Sequence, residues 1–149
     1  MKNLGVEYPT QSPEVRRKLH TKYVYNDVYF ENRWELSIYI YCSDHMIHCI
    51  YQPNIKFQYI YNEKIHYYHP DFIINNKIYE IKGSQFIKDD GTYRNPYDKS
   101  GNQDELYEAK HQCMIKNNIN IISDNEIKPF LQYMKNKYGK KWYLVYRRD

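Results

Sequence analysis

The sequence predicts an α/β fold, a mixed β-sheet of about four to five strands flanked by helices. Between residues 54 and 82 the chain alternates apolar and polar residues, as half-buried strands do. On both sides of this stretch, apolar residues recur with the spacing of an amphipathic helix. Clusters of Asn, Asp, Gly and Pro mark the turns between these segments. The 149 residues suffice for one domain with a hydrophobic core.

The first 28 residues are predicted to form a separate basic segment. Ser12 is placed to cap a helix that starts at Pro13, and Glu14 suits its first turn. This helix should run to about Lys22, and it is too short and too polar to fold alone. We therefore expect a basic segment over residues 1–28 and a main domain over residues 29–149.

An amphipathic helix is predicted from about Tyr29 to Ser43. Its apolar side chains fall three and four residues apart, so they share one face. The positions that form this pattern are Trp34, Ile38 and Tyr41, with Leu36 and Ile40 widening the apolar face.

Three strands are then predicted to follow one another as a meander. The first spans Asn54–Asn62, and the second spans Ile65–Ile74 after a turn at Glu63-Lys64. Asn75-Asn76 suits a two-residue hairpin turn because Asn tolerates positive φ. The third strand spans Lys77–Lys82.

The rest of the chain is predicted to alternate between loop, helix and strand. Residues 88–103 are rich in Asp, Gly, Asn and Pro, so they indicate a long loop, either a DNA-contacting flap or a plain surface loop. Helices are expected over residues 103–117 and 126–138. Strands are expected over residues 119–123 and, at an edge, 142–146.

Charge and cysteine content narrow the class of protein. The net charge is +4, and basic residues concentrate at the two ends of the chain, which suits phosphate contacts or simple solubility. The three cysteines form no C-x-x-C pair, so free thiols in a reducing compartment are expected. The sequence has no apolar run long enough to span a bilayer and no signal peptide. An intracellular, soluble protein is the resulting prediction.

Three charged residues on neighbouring strands are the candidate catalytic group. Glu80 and Lys82 are two apart on a strand, so they share a face. Asp71 begins the strand that a hairpin places beside them, at the same end of the ribbon. Two nearby carboxylates repel unless a cation joins them, and their oxygens suit Mg²⁺ or Mn²⁺. Lys82 could then serve an attacking water. The alternative is an ordinary surface salt bridge.

The segment Tyr68-His-Pro-Asp-Phe-Ile-Ile-Asn-Asn-Lys-Ile-Tyr-Glu-Ile-Lys-Gly83 resembles motifs II and III of the PD-(D/E)XK nuclease superfamily. The resemblance implies that Asp71 and Glu80 bind a divalent metal and that Lys82 assists the nucleophilic water. It also implies a restriction-endonuclease-like fold and cleavage of DNA that leaves a 5′-phosphate.

The same family suggests a third acid and a polar residue on a late helix, and the position beside Pro70 suggests His69. Tyr29-Phe-Glu-Asn-Arg-Trp-Glu-Leu36 is similar to the phage-type motif Phe-x-Ser-x-x-Glu, so Glu35 matches a third metal-binding acid and Asn32 replaces Ser. A late helix of the family often offers a polar residue to the site, which Lys110 or Gln112 would match. His69 is an accessory candidate. His66, three residues earlier on the strand, should point to the opposite face.

The N-terminal stretch Gly5-Val-Glu-Tyr-Pro-Thr-Gln-Ser-Pro-Glu-Val-Arg-Arg-Lys18 resembles a short DNA-binding repeat of phage and mobile-intron endonucleases. It implies that a basic cluster grips the phosphate backbone. The residues of this cluster are Arg16, Arg17, Lys18 and Lys22.

The sequence therefore predicts a Mg²⁺-dependent endodeoxyribonuclease, located in the host cytoplasm if phage-encoded. DNA is the expected partner, no membrane is expected, and a homodimer is one route to cutting both strands. Two other classes stay open: a catalytically silent DNA-binding protein of nuclease fold, and a phage structural or assembly protein. An RNA-directed nuclease would differ only in substrate.

Overall fold

The structure is a computed structural model that describes residues 21–148. The predicted N-terminal helix and Arg16, Arg17 and Lys18 lie outside the described residues. The chain divides into two compact units. The described part of the first consists of residues 21–41 and 129–148, and the second is Cys42–Lys128.

Eight strands and three α-helices make up the described chain, with two short 3-10 helices. In chain order they are β1 (Tyr23–Tyr25), β2 (Val28–Phe30), α1 (Arg33–Asp44), β3 (Cys49–Tyr51), β4 (Phe57–Tyr61), β5 (Lys64–Tyr68), β6 (Phe72–Ile74), β7 (Lys77–Ile81), a 3-10 helix (Ser84–Phe86), α2 (Asp104–Lys116), β8 (Asn120–Ile122), α3 (Lys128–Tyr138) and a 3-10 helix (Trp142–Tyr146).

The first unit begins with a β-hairpin where the sequence predicted the start of a helix. β1 and β2 pair antiparallel across Asn26-Asp27, whose φ angles of 50° and 63° are those of a tight hairpin turn. The prediction of a helix from Tyr29 is therefore wrong by one turn. The helix begins at Arg33, because the Asn32 side-chain oxygen accepts a hydrogen bond from the Glu35 N–H at 2.9 Å and caps it. The predicted domain boundary at residue 28 falls inside this hairpin.

α1 is buried on a wider face than predicted. Leu36, Ile38 and Ile40 are fully buried, whereas Trp34 and Tyr41 are only half-buried. The 3-10 helix Trp142–Tyr146 occupies the predicted C-terminal edge strand, which is a further error of the prediction.

A four-stranded mixed sheet forms the centre of the second unit, in the order β3-β6-β7-β8. β6 pairs antiparallel with both β3 and β7, whereas β7 and β8 are parallel. The predicted Asn75-Asn76 turn is confirmed, with φ angles of 50° and 67°. The mixed α/β class is confirmed in this coarse form. β3 was not predicted from the sequence.

The predicted strand Ile65–Ile74 is wrong, because it is two strands in two different sheets. β5 pairs with β4 in a separate two-stranded sheet, whose turn is Asn62-Glu63 rather than Glu63-Lys64. β6 begins after a break at His69-Pro70. Proline has no backbone N–H, so it cannot continue a β-ladder, and the chain changes sheets there.

α2 packs against the β4–β5 hairpin and forms a core with it. Tyr68, Tyr93, Cys113 and Met114 are buried together in this core. Tyr93 comes from the predicted loop over residues 88–103, so part of that loop is structural. Cys42, Cys49 and Cys113 form no disulfide bond.

Within residues 21–148, no helix combines the length and the apolar character needed to cross a lipid bilayer.

Candidate active site

Asp71 lies at the end of β6, next to the charged residues that end β7. The register of the two strands stops at Phe72 opposite Tyr79. The Asp71 N–H also donates to the Tyr79 carbonyl, at 3.1 Å, so Asp71 and Phe72 both face Tyr79 and the regular ladder ends there. The Asp71 charge acts on Lys82 and on Tyr68, which are the two residues that contact the Glu80 carboxylate.

The charged face of β7 is its buried face. Glu80 and Lys82 are 5% and 7% exposed, whereas Tyr79 and Ile81 are half-buried. Burying charges is costly unless they are paired and hydrogen-bonded. This arrangement differs from a surface salt bridge, which would leave both groups in water.

Asp71 is fixed by backbone groups on both sides. Its carboxylate oxygen Oδ2 accepts a hydrogen bond from the Ile81 N–H at 2.8 Å. Its own carbonyl accepts one from the Gln52 N–H at 2.7 Å. Because Ile81 lies between Glu80 and Lys82, the Asp71 carboxylate faces β7 at the point where those two residues project.

Glu80 has a separate partner for each carboxylate oxygen. Oε1 accepts a hydrogen bond from the Tyr68 hydroxyl at 2.7 Å, and Oε2 lies 3.3 Å from the Lys82 ammonium. Burial and the neighbouring Glu80 carboxylate raise the pKa of Tyr68 well above its usual range. Tyr68 is therefore a protonated donor at every physiological pH, and it holds the Glu80 side chain in one orientation.

Lys82 is enclosed by aromatic rings. Its ammonium lies 4.5 Å from the ring centre of Phe86, and the rings of Tyr93 and Tyr107 are within 6 Å. Burial lowers the pKa of Lys82, the Glu80 and Asp71 carboxylates oppose this, and the charge of Lys110 lowers it further. The Lys82 ammonium is thus enclosed between the Glu80 carboxylate and three aromatic rings.

We call Tyr68, Asp71, Glu80, Lys82 and Tyr93 the cluster. Of the two predicted accessory residues on α2, Lys110 is the one that lies beside it. Its ammonium lies 5.6 Å from the centre of the Tyr68 ring and acts electrostatically on Lys82. The Gln112 amide instead donates to the Glu108 carboxylate at 2.6 Å. Two residues apart on a helix differ by about 200° in direction, so the two side chains cannot share a face.

The histidines separate as expected. His66 stacks on Tyr59 with ring centres 5.4 Å apart, on the covered side of the β4–β5 hairpin. His69 is exposed in the break before Pro70.

Glu35 lies in the first turn of α1 and is buried, in the first compact unit. Asn32, the residue that replaces the family's Ser, serves as the helix cap just before it. Lys22, the one predicted DNA-binding residue that the structure describes, is exposed.

Two members of the cluster were not predicted as site residues. The sequence marks Tyr68 only as one of several strand tyrosines, and Tyr93 only as an aromatic residue in a polar loop. Neither position has a local signal that separates it from Tyr67 or Tyr97, which are exposed. The proximity of Tyr68 to Pro70 and Asp71 was the nearest available hint.

The donor set suits a hard divalent cation. Among the described residues, no group of three or more His, Cys, Asp or Glu side chains is arranged as a ready metal site. Mg²⁺ usually binds through one or two carboxylates and completes its shell with waters and substrate phosphates. Asp71 and Glu80 offer that minimal set, because each carboxylate oxygen has a second lone pair besides the one it uses here.

Comparison of the chain with protein families, with curated proteins and with solved structures found no match.

Proposed function

We propose that this protein is a metal-dependent DNA endonuclease of restriction-endonuclease-like fold that hydrolyses phosphodiester bonds. The main support is the buried pair of Glu80 and Lys82, with the Asp71 carboxylate bound to the backbone N–H of Ile81 between them. Perturbed, buried charges in one cluster are typical of functional sites, because they reduce stability relative to apolar residues.

In this proposal Asp71 and Glu80 are the metal ligands of the second unit. When bound, Mg²⁺ or Mn²⁺ would polarise the scissile phosphate and lower the pKa of a water molecule. Tyr68 keeps Glu80 oriented through its hydroxyl, and the Ile81 N–H does the same for Asp71. Each ligand is thus held by a group with a fixed place in the fold, one on the β4–β5 hairpin and one on β7 itself.

In this proposal Lys82 positions the attacking water and offsets the negative charge that develops on the phosphate. Water attacks phosphorus, the bond from phosphorus to the 3′ oxygen breaks, and a 5′-phosphate and a 3′-hydroxyl result. The Lys82 ammonium orients the attacking water and offsets the extra negative charge on the pentavalent phosphorane. Its aromatic surroundings limit its motion, so little reorganisation is needed during the reaction.

Glu35 and the basic N-terminal cluster are assigned from the sequence motifs. The sequence motif assigns Glu35 the role of a metal-binding acid, and the substitution Glu35→Gln tests this role by itself. Arg16, Arg17, Lys18 and Lys22 are proposed to bind the phosphate backbone.

One observation favours the alternative of a catalytically silent, DNA-binding protein. Glu80 and Lys82 already neutralise each other at 3.3 Å. A cluster that satisfies its own charges could persist without a metal.

Cleavage of supercoiled plasmid DNA distinguishes the two functions. We expect nicked or linear product with Mg²⁺ or Mn²⁺ and none with EDTA. Lys82→Ala should reduce the rate by about 10²-fold or more, as loss of one preorganised group that stabilises developing negative charge does. Lys77→Ala is the matched control, because it removes an exposed lysine from the same strand.

Intact plasmid under all metal conditions, with a folded protein that still retards DNA in a gel, would establish the silent alternative. Equal cleavage by wild type and Lys82→Ala would indicate a contaminating nuclease.

A further inference from the structure

The β4–β5 hairpin turns apolar side chains outward. Gln58 pairs with Tyr67 and Ile60 pairs with Ile65, so these four residues share one face. Ile60, Ile65 and Tyr67 are 66%, 57% and 46% exposed. Single exposed apolar residues are ordinary, but three adjacent ones on one ribbon are typical of an interaction surface. We call this surface the outer face.

The opposite face of the hairpin already has its partner. Phe57 and Tyr59 pack against the core that Tyr68 forms with α2. Within residues 21–148, β4 and β5 pair only with each other, so the ribbon is anchored through its inner face alone. The outer face therefore belongs to a hairpin that α2 holds in place.

The ribbon is continuous with the candidate active site. Tyr68, the last residue of β5, donates a hydrogen bond to Glu80, and Asp71 follows three residues later. The turn at Asn62-Glu63 forms the other end. Five residues in a strand span about 17 Å, so the outer face extends away from the cluster by that length.

The charge of the outer face suits a polyanion. The Lys56 ammonium lies 4.3 Å from the centre of the Tyr67 ring, which holds a positive charge over this face. The outer-face positions Lys56, Gln58, Ile60, Ile65 and Tyr67 include no carboxylate.

We propose that the outer face of the β4–β5 hairpin docks in the major groove of duplex DNA. The major groove is about 12 Å wide and admits a two-stranded β-ribbon. Lys56 contacts phosphate, Gln58 hydrogen-bonds base edges, and Ile60 and Ile65 contact thymine methyl groups. This inference rests on the proposed function, since it places duplex DNA beside the same active site.

Binding of the full chain to a fluorescent duplex, measured in EDTA so that no cleavage occurs, tests the proposal. Ile60→Ser combined with Ile65→Ser should weaken binding about tenfold through lost apolar contact. Lys56→Ala should reduce the slope of log affinity against log salt by about 0.9, the value for one phosphate contact.

Two matched controls lie outside the ribbon. Ile115→Ser removes an exposed isoleucine from α2, and Lys77→Ala removes an exposed lysine from β7. Both should bind as wild type does. Thermal unfolding of every variant establishes that the substitutions leave the fold intact.

Docking in the major groove of DNA is tested with duplexes methylated at guanine N7, an atom that lies in that groove. Methylation should weaken binding of the wild type and have little further effect on the double isoleucine variant. Equal sensitivity of both proteins would overturn the proposal.

Three other results would also overturn it. The first is unchanged affinity and salt slope in all hairpin variants. The second is a wild-type dimer that the double isoleucine variant converts to a monomer in sedimentation, since a second copy would then cover the outer face. The third is no binding to duplex DNA at all.

The two proposals fail separately. A chain that binds DNA through the ribbon and never cuts it refutes the endonuclease alone. A chain that cuts DNA with unaffected hairpin variants refutes only the docking of the ribbon.

Discussion

The two hairpins of the second unit have the same local construction and opposite surfaces. β4–β5 and β6–β7 are both antiparallel, and both turn through an asparagine with positive φ. In β6–β7 the charged residues Glu80 and Lys82 are buried. In β4–β5 the isoleucines are exposed. The comparison shows that the local sequence pattern determines where a hairpin forms, whereas the elements packed against it determine which face is exposed to water.

The neighbours of the two hairpins explain the difference. β6–β7 is flanked by β3 and β8, and aromatic residues from outside the sheet enclose Lys82. β4–β5 has only α2 against one face. Buried ion pairs are weak sources of stability compared with apolar packing. The proposed active site accounts for the buried charges, and the proposed docking in DNA accounts for the exposed isoleucines.

The largest expected effect is the loss of DNA cleavage when a buried charge of the β6–β7 hairpin is changed. Glu80→Gln should reduce plasmid cleavage by more than about 100-fold, because loss of a mere outer-shell partner of a metal already costs 10–100-fold. Glu31→Gln, a change at an exposed carboxylate outside both hairpins, should cleave like wild type. Mn²⁺ binding measured by calorimetry should weaken in parallel with cleavage. Retained cleavage by a folded Glu80→Gln protein would remove Glu80 from the proposed site.

The next effect is a difference in the free energy of unfolding between variants of the two hairpins. Phe72 is fully buried in β6, so Phe72→Ala should lower the free energy of unfolding by about 3–5 kcal/mol. Ile60→Ala in β4 should change it by less than about 0.5 kcal/mol, since the side chain is mostly in water. Urea denaturation of both variants measures the difference. Similar losses would mean that the outer face is covered in solution.

A smaller effect concerns alkaline pH. Burial and the nearby Glu80 and Glu108 carboxylates raise the pKa of Tyr93 to about 12. Its unfolded pKa is about 10, so the unfolded chain releases the proton first. The stability contributed by this group is complete below pH 10 and is lost as pH rises towards 12. Its size is on the order of 2 kcal/mol.

Tyr93→Phe should therefore show a shallower decline of unfolding free energy between pH 10 and pH 12 than wild type. Tyr97→Phe, a change at an exposed tyrosine, is the matched control and should decline as wild type does. Parallel curves for Tyr93→Phe and wild type would show that Tyr93 is not enclosed beside the cluster.

The smallest effect compares the two turns. Asn75 and Asn62 have φ angles of 50° and 54°, where a residue with an ordinary β-carbon is strained. Asn75→Ala should cost about 1 kcal/mol in global unfolding, because its hairpin belongs to the central sheet. Asn62→Ala should act mainly on local opening, seen as faster hydrogen exchange in β4 and β5. Equal global losses would show that the two hairpins unfold as one unit.

Much of the fold was predictable from short-range patterns. The Asn75-Asn76 turn, the strand that leads to Lys82, the α2 helix and β8 are all present close to their predicted positions. Each depends on residues only a few positions apart. The β1–β2 hairpin, the division between β5 and β6, and the 3-10 helix at Trp142 were not predicted, because tertiary pairing decides them.

The candidate site shows the same division. By itself, the sequence determined that Glu80 and Lys82 share a face, since strand alternation is local geometry. The tertiary structure decided that this face is buried, that Tyr68 binds Glu80, and that Tyr93 joins the surroundings of Lys82. Burial depends on contacts between residues distant in sequence, so the alternation along β7 shows which residues share a face but not which elements cover it.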